Sequence, residues 1–156
     1  MIQLATAIDL ETVKEIAIGA YQPYVPILGR PPAPMVADFR HHMLRKELYV
    51  LTTEETGDSG IETVGFIVFY PQDDCMFLEN VAVSPAHSNR GFGRQLINYC
   101  ETTALQDGKS IVRLYTNEMM EENLSMYPHL GYQEIERKQE HGFNRVYFEK
   151  HLTAAV

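Results

Sequence analysis

The chain has 156 residues, 45% of them hydrophobic and 22% charged, which suits one folded domain that buries a core without disulfide or metal staples. Against 13 basic residues stand 21 acidic ones, a net −8 that argues against a nucleic-acid backbone or an anionic membrane as the main partner and is compatible with a cationic ligand. No apolar run reaches membrane-span length, the N-terminus lacks a basic n-region, and Cys75 and Cys100 sit in apolar stretches without C-x-x-C or His/Cys clusters; they read as buried thiols of a cytoplasmic protein without a metal site.

Residues 2–5 predict a short strand. Asp9 offers an N-cap, and Leu10, Val13, Ile16, Ala17 and Ala20 recur at helical spacing. Residues 22–34 hold five of the eight prolines, so a stiff loop, neither helix nor central strand, is expected there. A second helix is expected over Met35–Arg45, with His41-His42 as a surface pair. Leu48–Thr53 and Ile61–Tyr70 are strand-like and are joined by a polar turn over residues 54–60. Met76–Val83 is a third strong strand. A Gly-rich turn at residues 89–93 then leads into a helix carrying Leu96, Ile97, Cys100 and Ala104, which Asp107-Gly108 ends. Ile111–Thr116 reads as a strand, Met120–Leu130 as a short helix closed by Gly131, and Gln133–Lys138 with Arg145–His151 as a last strand pair around His141-Gly142. The order β-α-α-β-β-β-α-β-α-β-β implies a mixed sheet, parallel only where a helix intervenes.

The segment Val81-Ala82-Val83-Ser84-Pro85-Ala86-His87-Ser88-Asn89-Arg90-Gly91-Phe92-Gly93-Arg94 is the most informative. A strand runs into a loop that opens a helix. Glycines let the backbone turn and a ligand approach closely, and the first helical N–H groups together with the macrodipole suit an anion such as a phosphate. Arg90 and Arg94 add positive charge to an acidic chain. No Walker string G-x-x-x-x-G-K-[ST] occurs, and Leu96 stands where a dinucleotide fingerprint needs its third glycine.

The segment resembles the cofactor motif Q/R-x-x-G-x-G/A of the GNAT superfamily of acyl-CoA-dependent N-acyltransferases, with Gly91 and Gly93 at its glycines and Arg94 as the basic residue that follows. Ser88 stands where Gln or Arg is usual, and Asn89 replaces a frequent glycine. Leu124 to Tyr132 resembles the family's late helix with Y-x-x-x-G-[FY], here Tyr127, Gly131 and Tyr132; Met120 holds the place of a common Asn, and Asn123 lies one turn away.

The resemblance implies an α/β fold with a mixed, mostly antiparallel sheet of about seven strands, a parallel splayed pair and about four flanking helices, forming one N-acetyltransferase domain over residues 1–156. It implies acetyl-CoA as cosubstrate. The backbone of Val81, Ala82 and Val83 would meet the pantetheine arm, residues Ser88, Asn89, Arg90, Gly91, Phe92, Gly93 and Arg94 would cradle the pyrophosphate, and Asn123 would assist. Tyr127 would donate to the departing sulfur.

Glu79 shares strand parity with Val81 and Val83 and is either the general base or a carboxylate paired or solvated at a strand end. Tyr24, Arg30, Met35 and Tyr115 are assigned to the acceptor site. The acceptor is expected to be a primary amine on a small molecule or a peptide, with no nucleic-acid or membrane partner. A homodimer through the strand carrying Arg145 to Phe148 is open, as is packing of that strand on its own sheet. The alternatives are a non-catalytic CoA-binding or sensor domain of the same fold, or transfer of another acyl group.

Overall fold

The computed structural model describes residues 1–54 and 60–153. Seven strands form one sheet in the order β1-β2-β3-β4-β5-β7-β6: β1 (Ile2–Leu4), β2 (Leu48–Thr53), β3 (Glu62–Gln72), β4 (Cys75–Val83), β5 (Ile111–Asn117), β6 (Gln133–Glu140) and β7 (Phe143–His151). The helices are α1 (Leu10–Tyr21), the single turn α2 (Val25–Leu28), α3 (Phe39–Leu44), α4 (Phe92–Gln106) and α5 (Glu121–His129). This is the expected mixed sheet with one parallel pair. The turn expected over residues 54–60 lies largely outside the described residues. Among the described residues no helix is long and apolar enough to cross a membrane.

The chain forms two compact units. The first comprises Met1–Phe69 and Asn80–Tyr99. In it β1 and β3 flank β2 antiparallel. The run Val64 to Phe69 is continuously buried because both faces of β3 are covered. Phe39 of α3 meets Phe66 edge-on at 5.2 Å, while Tyr49 stacks on Phe69 at 4.8 Å and Tyr99 of α4 closes on both. Of the α1 stripe that the spacing predicted, Leu10, Val13, Ile16 and Ala17 are buried, and Ala20 is half-buried.

The proline-rich segment departs from expectation. It contains α2, with Pro26 in its first turn, and 3-10 turns over Gln22–Tyr24 and Ala33–Val36. In a first turn the missing proline N–H costs no helical hydrogen bond, so the prolines start short helices here. Gly29 at φ +77° ends α2. The second helix is shorter than expected and begins at Phe39, because Asp38 caps it by accepting from the His41 N–H at 3.0 Å. His41 is exposed, but His42 is buried against Glu47 with Nδ1 3.0 Å from Oε1, so the two are not a surface pair.

The second unit comprises Tyr70–Glu79 and the chain from Cys100 onward. Here β4 runs parallel to β5, pairing Met76, Phe77 and Leu78 with Val112, Arg113 and Leu114. On its other side β5 pairs antiparallel with β7, and β7 with β6. Because β7 is paired along both edges, the Arg145 to Phe148 run has no open edge for a second copy. The edge strand is β6, charged and exposed along most of its length. Pairing partners share a face. Phe77, Glu79, Arg113, Tyr115, Arg145, Tyr147 and Glu149 therefore stand on one face. Leu78, Leu114, Val146 and Phe148 stand on the other, where Tyr127 of α5 packs 5.7 Å from Phe148.

Candidate active site

The Gly-rich loop belongs to the first unit. Ser84 leads into a 3-10 turn over Pro85–His87, and Asn89 (φ +63°) and Gly91 (φ +83°) both adopt the left-handed conformation that reverses the chain into α4. Asparagine tolerates that conformation better than most residues, which explains why Asn89 replaces a glycine. The Gly91 carbonyl accepts from the Gln95 N–H at 3.1 Å, so the N–H groups before Gln95 precede the first bond inside the helix. A side chain at Gly91 would meet no atom within 4 Å, and one at Gly93 only Val83 Cγ2 at 3.8 Å. Protein packing therefore does not require glycine at 93, and the space beside it is open.

Arg90 and Arg94 are exposed and form no ion pair with a described residue. Open backbone, unpaired N–H groups and two uncommitted guanidinium groups make a cradle that fits a pyrophosphate. Ser88 Oγ donates to the Pro85 carbonyl at 3.1 Å, so this hydroxyl braces the loop.

On β4, Ala82 is buried, and its carbonyl lies only 2.9 Å from where a Cβ on Gly65 would sit; glycine at 65 lets β3 close on this stretch. Val81 and Val83 are half-buried. A polar clamp that sequence reasoning missed lies beside them. Tyr21 Oη donates to Asn80 Oδ1 at 2.9 Å and to the Val81 carbonyl at 3.0 Å, and Asn80 Nδ2 donates to the Pro34 carbonyl at 3.0 Å. It ties α1 and the proline-rich segment to β4. Tyr24 and Met35 are half-buried in that segment and Arg30 is exposed.

The second unit holds the residues assigned to chemistry. Glu79 is half-buried and accepts a 2.7 Å hydrogen bond from Tyr70 Oη, a partner not foreseen from the sequence although Tyr70 closes the preceding apolar strand. Tyr70, Phe77, Tyr115 and Tyr147 form an aromatic row with centroid spacings of 5.8, 5.9 and 5.4 Å. Tyr115 is its centre, with the Arg145 guanidinium 4.2 Å from the ring centroid. Burial raises the Tyr115 phenol above its ordinary value, partly opposed by Arg145.

Tyr127 is buried, edge-on to Tyr132 and against Phe148. Burial pushes its phenol well up, so the group stays protonated at neutral pH. Among the described residues nothing hydrogen-bonds its hydroxyl. Tyr132 is a core tyrosine whose Oη donates to Glu101 at 2.8 Å. Asn123 Nδ2 donates to Thr116 Oγ1 at 3.1 Å, and Met120 adds its sulfur at 3.6 Å, so Asn123 anchors α5 to the end of β5.

Tyr127 and Glu79 stand on opposite faces of the sheet. Phe148, against which Tyr127 packs, is opposite Leu114, and Leu114 is the last β5 residue paired with β4. Beyond that rung both strands run on, β4 to Val83 and β5 to Asn117. Glu79 is the first residue past it. Both side chains thus stand where the parallel ladder stops. Tyr115 is in this unit, whereas Tyr24, Arg30 and Met35 belong to the first.

Among solved structures, PaiA N-acetyltransferase from Thermoplasma acidophilum in complex with coenzyme A is 16% identical, with TM-score 0.73, covering 97% of this chain and 98% of that one. The ribosomal-protein-S18-alanine N-acetyltransferase from Escherichia coli is 15% identical, with TM-score 0.72, over 100% and 96%. Nourseothricin acetyltransferase is 19% identical, with TM-score 0.59 over 68% of this chain and 65% of that one, so this chain spans less than two thirds of it. At these identities the likeness is one of fold. No curated protein sequence matches the chain significantly. The sequence model described as "Acetyltransferase (GNAT) family" matches residues 11–132, which include the loop, β4, β5 and Tyr127. By that match and this fold, the chain belongs to the GNAT acetyltransferase family.

Proposed function

We propose that this protein transfers the acetyl group of acetyl-CoA to a primary amine of a small molecule or peptide, by direct attack while both substrates are bound. The observation that carries this reading is the end of the β4–β5 ladder at Leu78 and Leu114, with Glu79 on one face and Tyr127 on the other at the same level. Side chains on both faces can reach one group there. Bound acetyl-CoA supplies an acetyl thioester whose sulfur leaves.

The loop residues Ser88 to Arg94 hold its pyrophosphate, and the backbone of Val81 to Val83 its pantetheine. An alkyl ammonium has a pKa of about 10.4, so the acceptor must lose a proton before its lone pair attacks. Glu79 takes that proton, directly or through water, and Tyr70 fixes the carboxylate through Oε1. The new N–C bond forms as the C–S bond breaks, and the second proton lost from the nitrogen balances the one the departing thiolate takes up as it leaves as the thiol. Tyr127, kept protonated by burial, donates a hydrogen bond to the sulfur. Tyr115, on the same face as Glu79, contacts the acceptor.

A second reading, a CoA-binding domain without turnover, is favoured by Ser88, whose hydroxyl is committed to Pro85. Thiol release with an amine panel separates the two: acetyl-CoA binding without release supports the second. If the enzyme reading is right, Tyr127→Phe lowers turnover by about 10²-fold or more and leaves acetyl-CoA affinity intact. Unchanged turnover refutes the role of Tyr127.

A further inference from the structure

We propose that the acceptor carries a carboxylate beside its amine, as an amino acid does, and that Arg145 is the residue that selects it. The proposal rests on Glu79 serving as the base for that amine.

Arg145 is 8% exposed, yet its guanidinium makes no hydrogen bond with a described residue. Its ion pair, to Glu140 Oε1, is 3.8 Å long, and the same oxygen accepts the Tyr147 hydroxyl. The Tyr115 ring beneath it, its centroid 4.2 Å from the guanidinium carbon, attracts the cation through its face. No Arg145 nitrogen is among the sealed, unpartnered polar atoms of the described residues, so its donors stay open to a partner, and a planar five-donor fork fits a carboxylate in bidentate fashion.

The position of Arg145 relates it to the base. Arg145 and Tyr147 share a face of β7, and Tyr147 is opposite Tyr115. Tyr115 lies 5.9 Å from Phe77, and Glu79 follows Phe77 on the same face of β4. The Tyr115 phenol feels both charges: Arg145 lowers its pKa and Glu79 raises it. A fixed anion and a fixed cation around one aromatic ring complement a zwitterion, with the amine toward Glu79 and the carboxylate toward Arg145. This sharpens the inference from net charge, because an acceptor that was only cationic would be repelled by Arg145.

The test compares kcat/KM for L-amino acids and for their amides in the wild type, Arg145→Met and Arg145→Lys, with acetyl-CoA binding followed separately by calorimetry. In the wild type the acids are expected to exceed the amides about 10- to 150-fold, the range for a hydrogen bond to a charged group. In Arg145→Met that ratio collapses through KM of the acid, and Arg145→Lys restores part of it. Equal use of acids and amides by the wild type overturns the proposal without any variant. So does a loss in Arg145→Met that falls equally on both, which is the mark of a structural role. Transfer to plain amines but not to amino acids overturns it while leaving the transferase reading standing. No binding of acetyl-CoA and no transfer to any amine refutes the transferase reading and this proposal with it.

Discussion

Replacing Gly93 with alanine separates what the fold needs from what the ligand needs. Gly93 is the second residue of α4, and its φ lies outside the left-handed region. A Cβ there meets only Val83 Cγ2, at an ordinary contact distance of 3.8 Å. Glycine-to-alanine replacement at such a position removes unfolded-state freedom and stabilises by about 0.4–1 kcal/mol. At about 2–4 °C per kcal/mol for a chain of this size, that is a rise of roughly 1–4 °C in Tm. The same Cβ occupies the open space beside the loop, where the proposed pyrophosphate lies. A hundredfold excess of acetyl-CoA over Kd should stabilise the wild type by about 2.7 kcal/mol, and Gly93→Ala should lose most of that gain. Thermal unfolding with and without acetyl-CoA measures both effects on one sample. The expected pattern is a higher Tm without ligand and a smaller ligand shift. A lower Tm without ligand would refute the claim of free space. A higher Tm with the full ligand shift would refute the placement of the anion.

Two further outcomes follow from packing and charge. Gly65→Ala should destabilise, because its Cβ would sit 2.9 Å from the Ala82 carbonyl and 3.1 Å from Leu96 Cδ1; overpacking of this kind costs about 1–3 kcal/mol, and calorimetry on the variant checks it. Glu149 is held below its ordinary carboxylate range by hydrogen bonds from Arg113 and His151, so its folded pKa is depressed. The stability it contributes is present above the unfolded pKa and is lost as pH falls through the folded one. Glu149→Gln should therefore lower Tm at neutral pH, and its gap to the wild type should close below about pH 4; a gap independent of pH would refute the assignment.

Much of the fold was legible because its signals are local. The 3.6-residue stripe of α1, the apolar runs of β3 and β4, and the glycines at 91 and 131 each act within a few residues of themselves. The proline-rich segment was misread because proline forbids helix interiors but favours first turns, and a four-residue helix is little more than a first turn. Of the candidate site, the loop and the parity of Glu79 were legible, and the residues that hold them were not. Tyr21 is 59 positions from Asn80, and Arg145 reaches a ring from β5, so no spacing rule joins them.

The sequence by itself determined the order of the strands and of the helices outside the proline-rich segment, the family motif and the parity of the strand residues, since backbone periodicity and turn geometry are short-range properties. Only the tertiary structure decided that the β4–β5 ladder stops at Leu78, that Glu79 and Tyr127 stand on opposite faces at that level, and that Arg145 is buried over Tyr115. Those facts depend on strand register and on contacts between distant segments, which burial of the whole core selects together.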